Sequence, residues 1–177
     1  MKKLIAVLLL LSVMIPAAVA EGEPSRVLVA YLSRAGENYN VGIPQAGSAS
    51  AAYAGYIEKG NTAMMAAVIA DMTGGDLFEI QTVTPYPEDY ASMLRVAQEE
   101  IDTDARPALA ANVENMADYE VVFIGYPNWW GTMPMFMFTL LDAFDWTGKK
   151  IVPFCTNEGS GLGSSERDIK ASCPEQP

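Results

Sequence analysis

"EVVFIGYPNWWGTMP", residues 120–134, runs from an unbroken apolar stretch directly into two adjacent tryptophans. Apolar side chains at successive positions, without alternation, mark a strand covered on both faces, as in a parallel sheet. Pro127 ends the ladder, and Gly131 and Pro134 bound a short loop that holds Trp129 and Trp130. Core packing is the ordinary use of tryptophan, but chain neighbours rarely point the same way. At least one of the two indoles is therefore expected near the surface, or against something that is not protein.

Working outward, the same grammar repeats. "RVLVAYLS" (26–33) and "KKIVPFCTN" (149–157) read as further strands, and "DLFEIQTV" (76–83) as a fourth. Helical spacing predicts helices over 61–73, 88–102, 133–145 and 164–173, the first stopped by Gly74-Gly75. "ARPALAANVENMADY" (105–119) reads as a loop or broken helix. Four strands alternating with four helices predict an α/β fold, a parallel sheet with helices on both faces. No internal repeat or linker divides the chain. One anomaly stands out: a Gly-, Ala- and Ser-rich excursion over 34–59 separates the first strand from its helix, and loops this long in a compact domain are usually functional or mobile.

The first twenty residues belong to a different grammar. "MKK" is a basic start, "LIAVLLLLSVMIP" an apolar run and "AVA" (18–20) a small-residue cleavage pattern. We expect a signal peptide over 1–20, an exported domain over 21–177, and no stable membrane span after cleavage. If the leader stays uncleaved, it would tether the protein; at 4–20 it is at the short limit for spanning. Without Lys2 and Lys3, the chain has 9 basic and 22 acidic residues, a net charge near −13. That surface disfavours nucleic acid and anionic membranes and suits partners with basic surfaces. No histidine is present, so neither a histidine-ligated metal nor a Ser-His-Asp nucleophile can be built. Cys155 and Cys173 are expected to stay apart, one at the end of a strand and the other at the far end of the helix running back from it, beyond the ~7 Å that a disulfide spans.

Ligands of open parallel sheets bind beyond the carboxyl ends of the strands. Three loops there have unusual composition. Ser33, Arg34 and Ala35, with Gly60, Asn61 and Thr62 at a helix start, could form an anion cradle assisted by the helix dipole. Pro127, Asn128, Trp129, Trp130 and Gly131 offer an aromatic wall. Thr156, Asn157, Glu158, Gly159 and Gly161 belong to a loop whose glycines let backbone approach a ligand closely. Together they suit a flat, phosphorylated heterocycle. Glu158 by itself reads as a solvated loop charge, Tyr86 as a turn-packing residue, and the methionines of "MPMFMF" as core.

The stretches "VLVAYLSRAGENY", "GNT", "GGDLFEI", "YPEDY", "GYPNWWGTMP" and "IVPFCTNEGSGLGSSERDI" resemble the flavodoxin family, specifically bacterial exported members with a split phosphate loop, from about residue 26 to 173. The resemblance implies a doubly wound flavodoxin-like sheet that binds FMN non-covalently. It implies that Ser33, Arg34, Ala35, Asn61 and Thr62 hold the phosphate, with Gly36 or Asn38 as alternatives to Gly60 or Asn61. Pro127, Asn128, Trp129, Trp130 and Gly131 would then lie along the isoalloxazine, and the segment 157–161 against its other side or its pyrimidine edge. The family has a fifth strand and helix after the segment matching "IKASCP"; the expected order here is therefore 2-1-3-4 with the fifth strand absent, and the 21–177 chain is expected either to be marginally stable or to self-associate through the exposed fourth strand. Three functions compete: an FMN electron carrier, an FMN-dependent NAD(P)H:quinone-type reductase, and a flavin-free interaction module. The carrier requires no acid or base from the protein, and no second nucleotide fingerprint is present for a reductase.

Overall fold

The structure, a computed structural model, describes residues 26–34, 59–87 and 90–174. The leader, Ala35, Gly36, Asn38 and nearly all of the 34–59 excursion lie outside these residues. The described elements run β1 Val27–Tyr31, α1 Asn61–Thr73, β2 Asp76–Glu79, α2 Tyr90–Asp102, β3 Val121–Pro127, α3 Met135–Asp142, β4 Lys150–Thr156 and α4 Ser165–Ser172, with a 3-10 turn at Met116–Asp118 inside the predicted broken-helix region. The strands form one sheet in the order β2-β1-β3-β4, and every pairing is parallel. This is the order and class expected from the sequence.

Strand periodicity divides the core in two. Leu28, Ala30 and Leu32 of β1 and its extension share one face with Val122, Ile124 and Tyr126 of β3, where side chains of α2, α3 and α4 such as Met93, Ala97, Phe136, Leu140 and Ile169 cover them. The opposite face presents Val29, Tyr31, Phe123 and Phe154 to Ala66, Ala70 and Ile69 of α1. Only small residues of α1 are buried here: Thr62, Ala66 and Ala70, which lets the helix sit close to the sheet. Its large side chains, Met64, Met65, Val68 and Met72, turn outward. Gly74, at φ +67, closes the helix in the left-handed conformation that glycine adopts without strain, and β2 follows at once. Gly125 is required for a different reason: a Cβ there would overlap the ring of Phe154 on the neighbouring strand.

Two expectations change. The strand predicted over 76–83 leaves the ladder after Glu79, with Ile80 N donating to Tyr31 O at 2.7 Å as the last link. Thr82 instead bridges Leu109, and Val83 N donates to Ala108 O, because β1 has ended and the 105–110 segment offers new partners. β4 is half-buried rather than fully buried, since among the described residues it pairs only with β3. Among the described residues no disulfide joins Cys155 to Cys173.

Candidate functional site

The three loops follow β1, β3 and β4, which are neighbours in the sheet, so the topology brings their carboxyl ends to one edge. The paired tryptophans part company there. Trp129 packs into the core, its ring 5.1 Å from Tyr86 in an edge-to-face arrangement and 5.9 Å from the Arg34 guanidinium. Trp130 is 56% exposed, with its Nε1 donating to Leu94 O at 3.3 Å. Trp129 and Thr132 exchange backbone hydrogen bonds of 2.9 and 3.2 Å, making a tight hairpin whose tip is Trp130 at φ +55 and Gly131 at φ +86. A non-glycine residue in the left-handed region is strained by about 1–3 kcal/mol and persists only where its surroundings over-determine it.

Those surroundings are the loop after β4. Asn128 N donates to Thr156 O at 2.9 Å, Asn128 Nδ2 to Gly161 O at 3.0 Å, and Ser164 N to Gly131 O at 2.8 Å. Asn128 Oδ1 accepts from Gly131 N at 2.9 Å. Gly163, at φ +58, has no room for a side chain, because a Cβ would overlap Gly131 O. Asn157 folds its own loop: its Oδ1 accepts from Gly159 N and Gly161 N, both at 2.9 Å. Glu158 is exposed. The second and third loops are thus one hydrogen-bonded unit.

On the β1 side, Ser33 is 6% exposed, and its Oγ makes no hydrogen bond among the described residues. A buried hydroxyl left so is costly and calls for a partner. Gly60 is the N-cap of α1, and the helix start has no side-chain cap hydrogen bond among the described residues. Thr62, fully buried, shares a 2.8 Å hydrogen bond with Thr156, tying the α1 start to the loop after β4. Arg34 turns inward: Nη2 donates to Pro87 O at 2.7 Å, and the side chain is buried beside Trp129. Among the described residues no cluster could hold a metal, and no helix is long and apolar enough to cross a membrane.

The structure brings together Ser33, Gly60, Asn61, Thr62, Asn128, Trp130, Gly131, Thr156, Asn157, Gly159 and Gly161 around this edge, places Trp129 and the Arg34 side chain beneath it, and sends Glu158 to solvent. Sequence reasoning missed Thr132, Ser164 and Asp168. Thr132 and Ser164 each donate a hydroxyl to Asp168 Oδ2 at 2.7 Å. In the sequence, "GSSERD" carries only a helix-start signal. Burial alone would raise the Asp168 pKa, but hydrogen bonds from Thr132, Ser164 and Arg167 outweigh it and hold the carboxyl below its ordinary value.

A flavodoxin family profile matches residues 51–177. No curated protein matches the chain. Among solved structures, a candidate flavoprotein from Bacteroides eggerthii DSM 20697 shares 31% identity with a TM-score of 0.66, over 85% of this chain and 82% of its own. A second, from Bacteroides uniformis ATCC 8492, shares 26% identity with a TM-score of 0.63, over 86% and 85%. A flavoprotein in complex with FMN from Lactobacillus acidophilus NCFM shares the fold at 18% identity and a TM-score of 0.61, over 84% and 88%.

Proposed function

This chain belongs to the flavodoxin family, and from that premise we propose that it binds FMN non-covalently at the carboxyl ends of β1, β3 and β4 and works as an exported electron-transfer protein. The observation that carries the reading is the exposed indole of Trp130, fixed on a strained hairpin, one strand away from the buried, unpartnered hydroxyl of Ser33. Trp130 would stack on the isoalloxazine. Ser33 Oγ, the first-turn amides of α1 and the Thr62 hydroxyl would hold the phosphate. The glycine-bearing loop at 156–161, whose Gly159 and Gly161 amides are held by Asn157 Oδ1, would turn its remaining backbone groups to the polar edge of the ring. The FMN-bound relative, which has the same fold, supports this choice of flavin.

When bound, FMN supplies the redox chemistry; the protein's part is to bind it, orient it and shield it. None of the residues assigned here needs to move a proton, and the chain has no histidine, which favours a carrier over a hydrolytic or acid–base enzyme. The test is a titration of riboflavin, FMN and FAD followed by flavin fluorescence. FMN should bind tightest and be quenched by the stacked indole; unquenched flavin at saturating protein would overturn the reading. Rapid NAD(P)H oxidation by the purified holoprotein would replace the carrier with a reductase.

A further inference from the structure

Asp168 sits in α4, outside the three strand-end loops, yet it grips one of them. Its Oδ2 accepts from Thr132 Oγ1 and Ser164 Oγ, both at 2.7 Å, and its Oδ1 from Arg167 Nη2 at 2.8 Å and Nε at 3.0 Å. The two sides are unequal. The Arg167 side chain is 79% exposed, so that pair is screened by solvent and weak. The Asp168 side chain is 18% exposed, and the two hydroxyls reach it from the protein side. Thr132 closes the hairpin whose tip is Trp130, and Ser164 N holds Gly131 O beside it. The strained backbone of Trp130 is therefore over-determined from α4.

We infer that Asp168 is a positioning residue: through Thr132 and Ser164 it fixes the attitude of the Trp130 indole at the ligand edge. The flavin consequence of this rests on the FMN reading; the effect on the indole does not. Removing the carboxylate leaves Ser164 N on Gly131 O but frees Thr132, so the hairpin can relax and Trp130 presents its binding attitude for only part of the time. Apparent affinity then falls by that fraction. The Asp168→Asn side chain can keep its oxygen on both hydroxyls; its amide cannot accept from Arg167, but that exposed side chain is free to turn into solvent, so the geometry should be largely restored.

The experiment uses the full chain with Asp168→Ala, Asp168→Asn and Thr132→Val, each also in Trp130→Phe and Trp130→Ala backgrounds. Without flavin, the emission anisotropy of Trp130, taken as the difference between each protein and its Trp130→Phe counterpart, should fall in Asp168→Ala and recover in Asp168→Asn. With FMN, Asp168→Ala should raise Kd about tenfold, the scale of losing a hydrogen bond to a charged group. That effect should vanish in a Trp130→Ala background, while effects on melting temperature stay additive. Unchanged Trp130 anisotropy, or an equal Kd penalty without Trp130, would overturn the inference and leave Asp168 a general brace of the loops. Failure of the unsubstituted protein to bind FMN would instead overturn the proposed function, and anisotropy alone would then judge Asp168. If Asp168→Ala does not fold, Thr132→Val asks the same question, since it removes one donor and keeps the carboxylate.

Discussion

At the scale of single residues, exposure assigns different work to neighbours. Trp129 is 6% exposed and meets Tyr86 and Arg34, so Trp129→Ala should destabilise the fold by about 3–5 kcal/mol, the cost of emptying a large aromatic site. Trp130→Ala should barely move stability and should weaken FMN binding by about 1–3 kcal/mol, the scale of a ring stacked on an aromatic side chain. Urea unfolding and flavin titration of the same two proteins separate these outcomes; a reversed pattern would place the flavin on the wrong indole. The pair was legible in the sequence because adjacent side chains diverge, but which one faces out was not, since that depends on Tyr86, forty-three positions earlier in the chain. Asp168 was illegible for a similar reason: Ser164 is its local neighbour at the helix start, but Thr132, thirty-six positions earlier, reaches it only once the chain has folded. Glu100 supplies a pH prediction. Burial raises its pKa above 4.5, the hydrogen bond from Tyr86 pulls it partly back, and Glu99 pushes it up again. Between 4.5 and the raised value, the folded chain holds a proton that the unfolded chain has lost, so stability falls as pH rises through that window. Melting temperatures across it should show this slope, and Glu100→Gln, whose amide oxygen can still accept from Tyr86, should reduce it, leaving the part due to Glu79, whose pKa burial also raises; an unaltered slope would sink the assignment.

At the scale of elements, α1 shows what periodicity can and cannot say. Its existence and its stop at Gly74 were readable, because glycine adopts the left-handed closing conformation and the helix-forming run before it is unbroken. Its buried face was not readable: "NTAMMAAVIADMT" is apolar nearly all round, and the sheet selects Ala66 and Ala70 over the methionines because small side chains let α1 approach β1 closely. β2 was overread for the opposite reason. "IQTV" has strand composition, but Thr82 and Val83 find their partners at Leu109 and Ala108 once β1 has ended. The start of α1 carries the prediction that belongs to this scale. Thr62 links α1 to Thr156 and lies in the first turn of the helix. Thr62→Val keeps the volume and removes the hydroxyl. It should cost FMN about 1.5–3 kcal/mol of affinity, as for a lost hydrogen bond to a charged group, and riboflavin much less. Calorimetric titration with both ligands decides it: equal losses would mean that Thr62 acts through Thr156 on the loop and not on the phosphate.

At the scale of the whole molecule, two long-range features oppose each other. The chain has a formal net charge of −11 at pH 7, which repels copies of itself at low ionic strength. Against this stands the flank of β4. Among the described residues β4 pairs only with β3, and Ile151, Val152 and Phe154 are half-buried at that edge, an arrangement that templates pairing with another chain. Pro153 partly blunts the edge, because it brings no backbone N–H to a new ladder. Exposed Met64, Met65, Val68 and Met72 on α1 add apolar surface on the molecule. Salt decides between the two. Repulsion between exposed charges is screened beyond about 3 Å at 1 M ionic strength, against about 30 Å at 0.01 M, whereas apolar burial is not weakened by salt in this way. The polypeptide spanning 21–177 should therefore be monomeric at low ionic strength and self-associate as salt is added, with the loops that follow β1, β3 and β4 still in place. Light scattering across a salt series measures this. Lysine at Ile151, which adds a charge to the edge, should hold the protein monomeric in high salt; association unaffected by that change would move the contact away from β4, and a monomer at every ionic strength would show that the edge is not sticky.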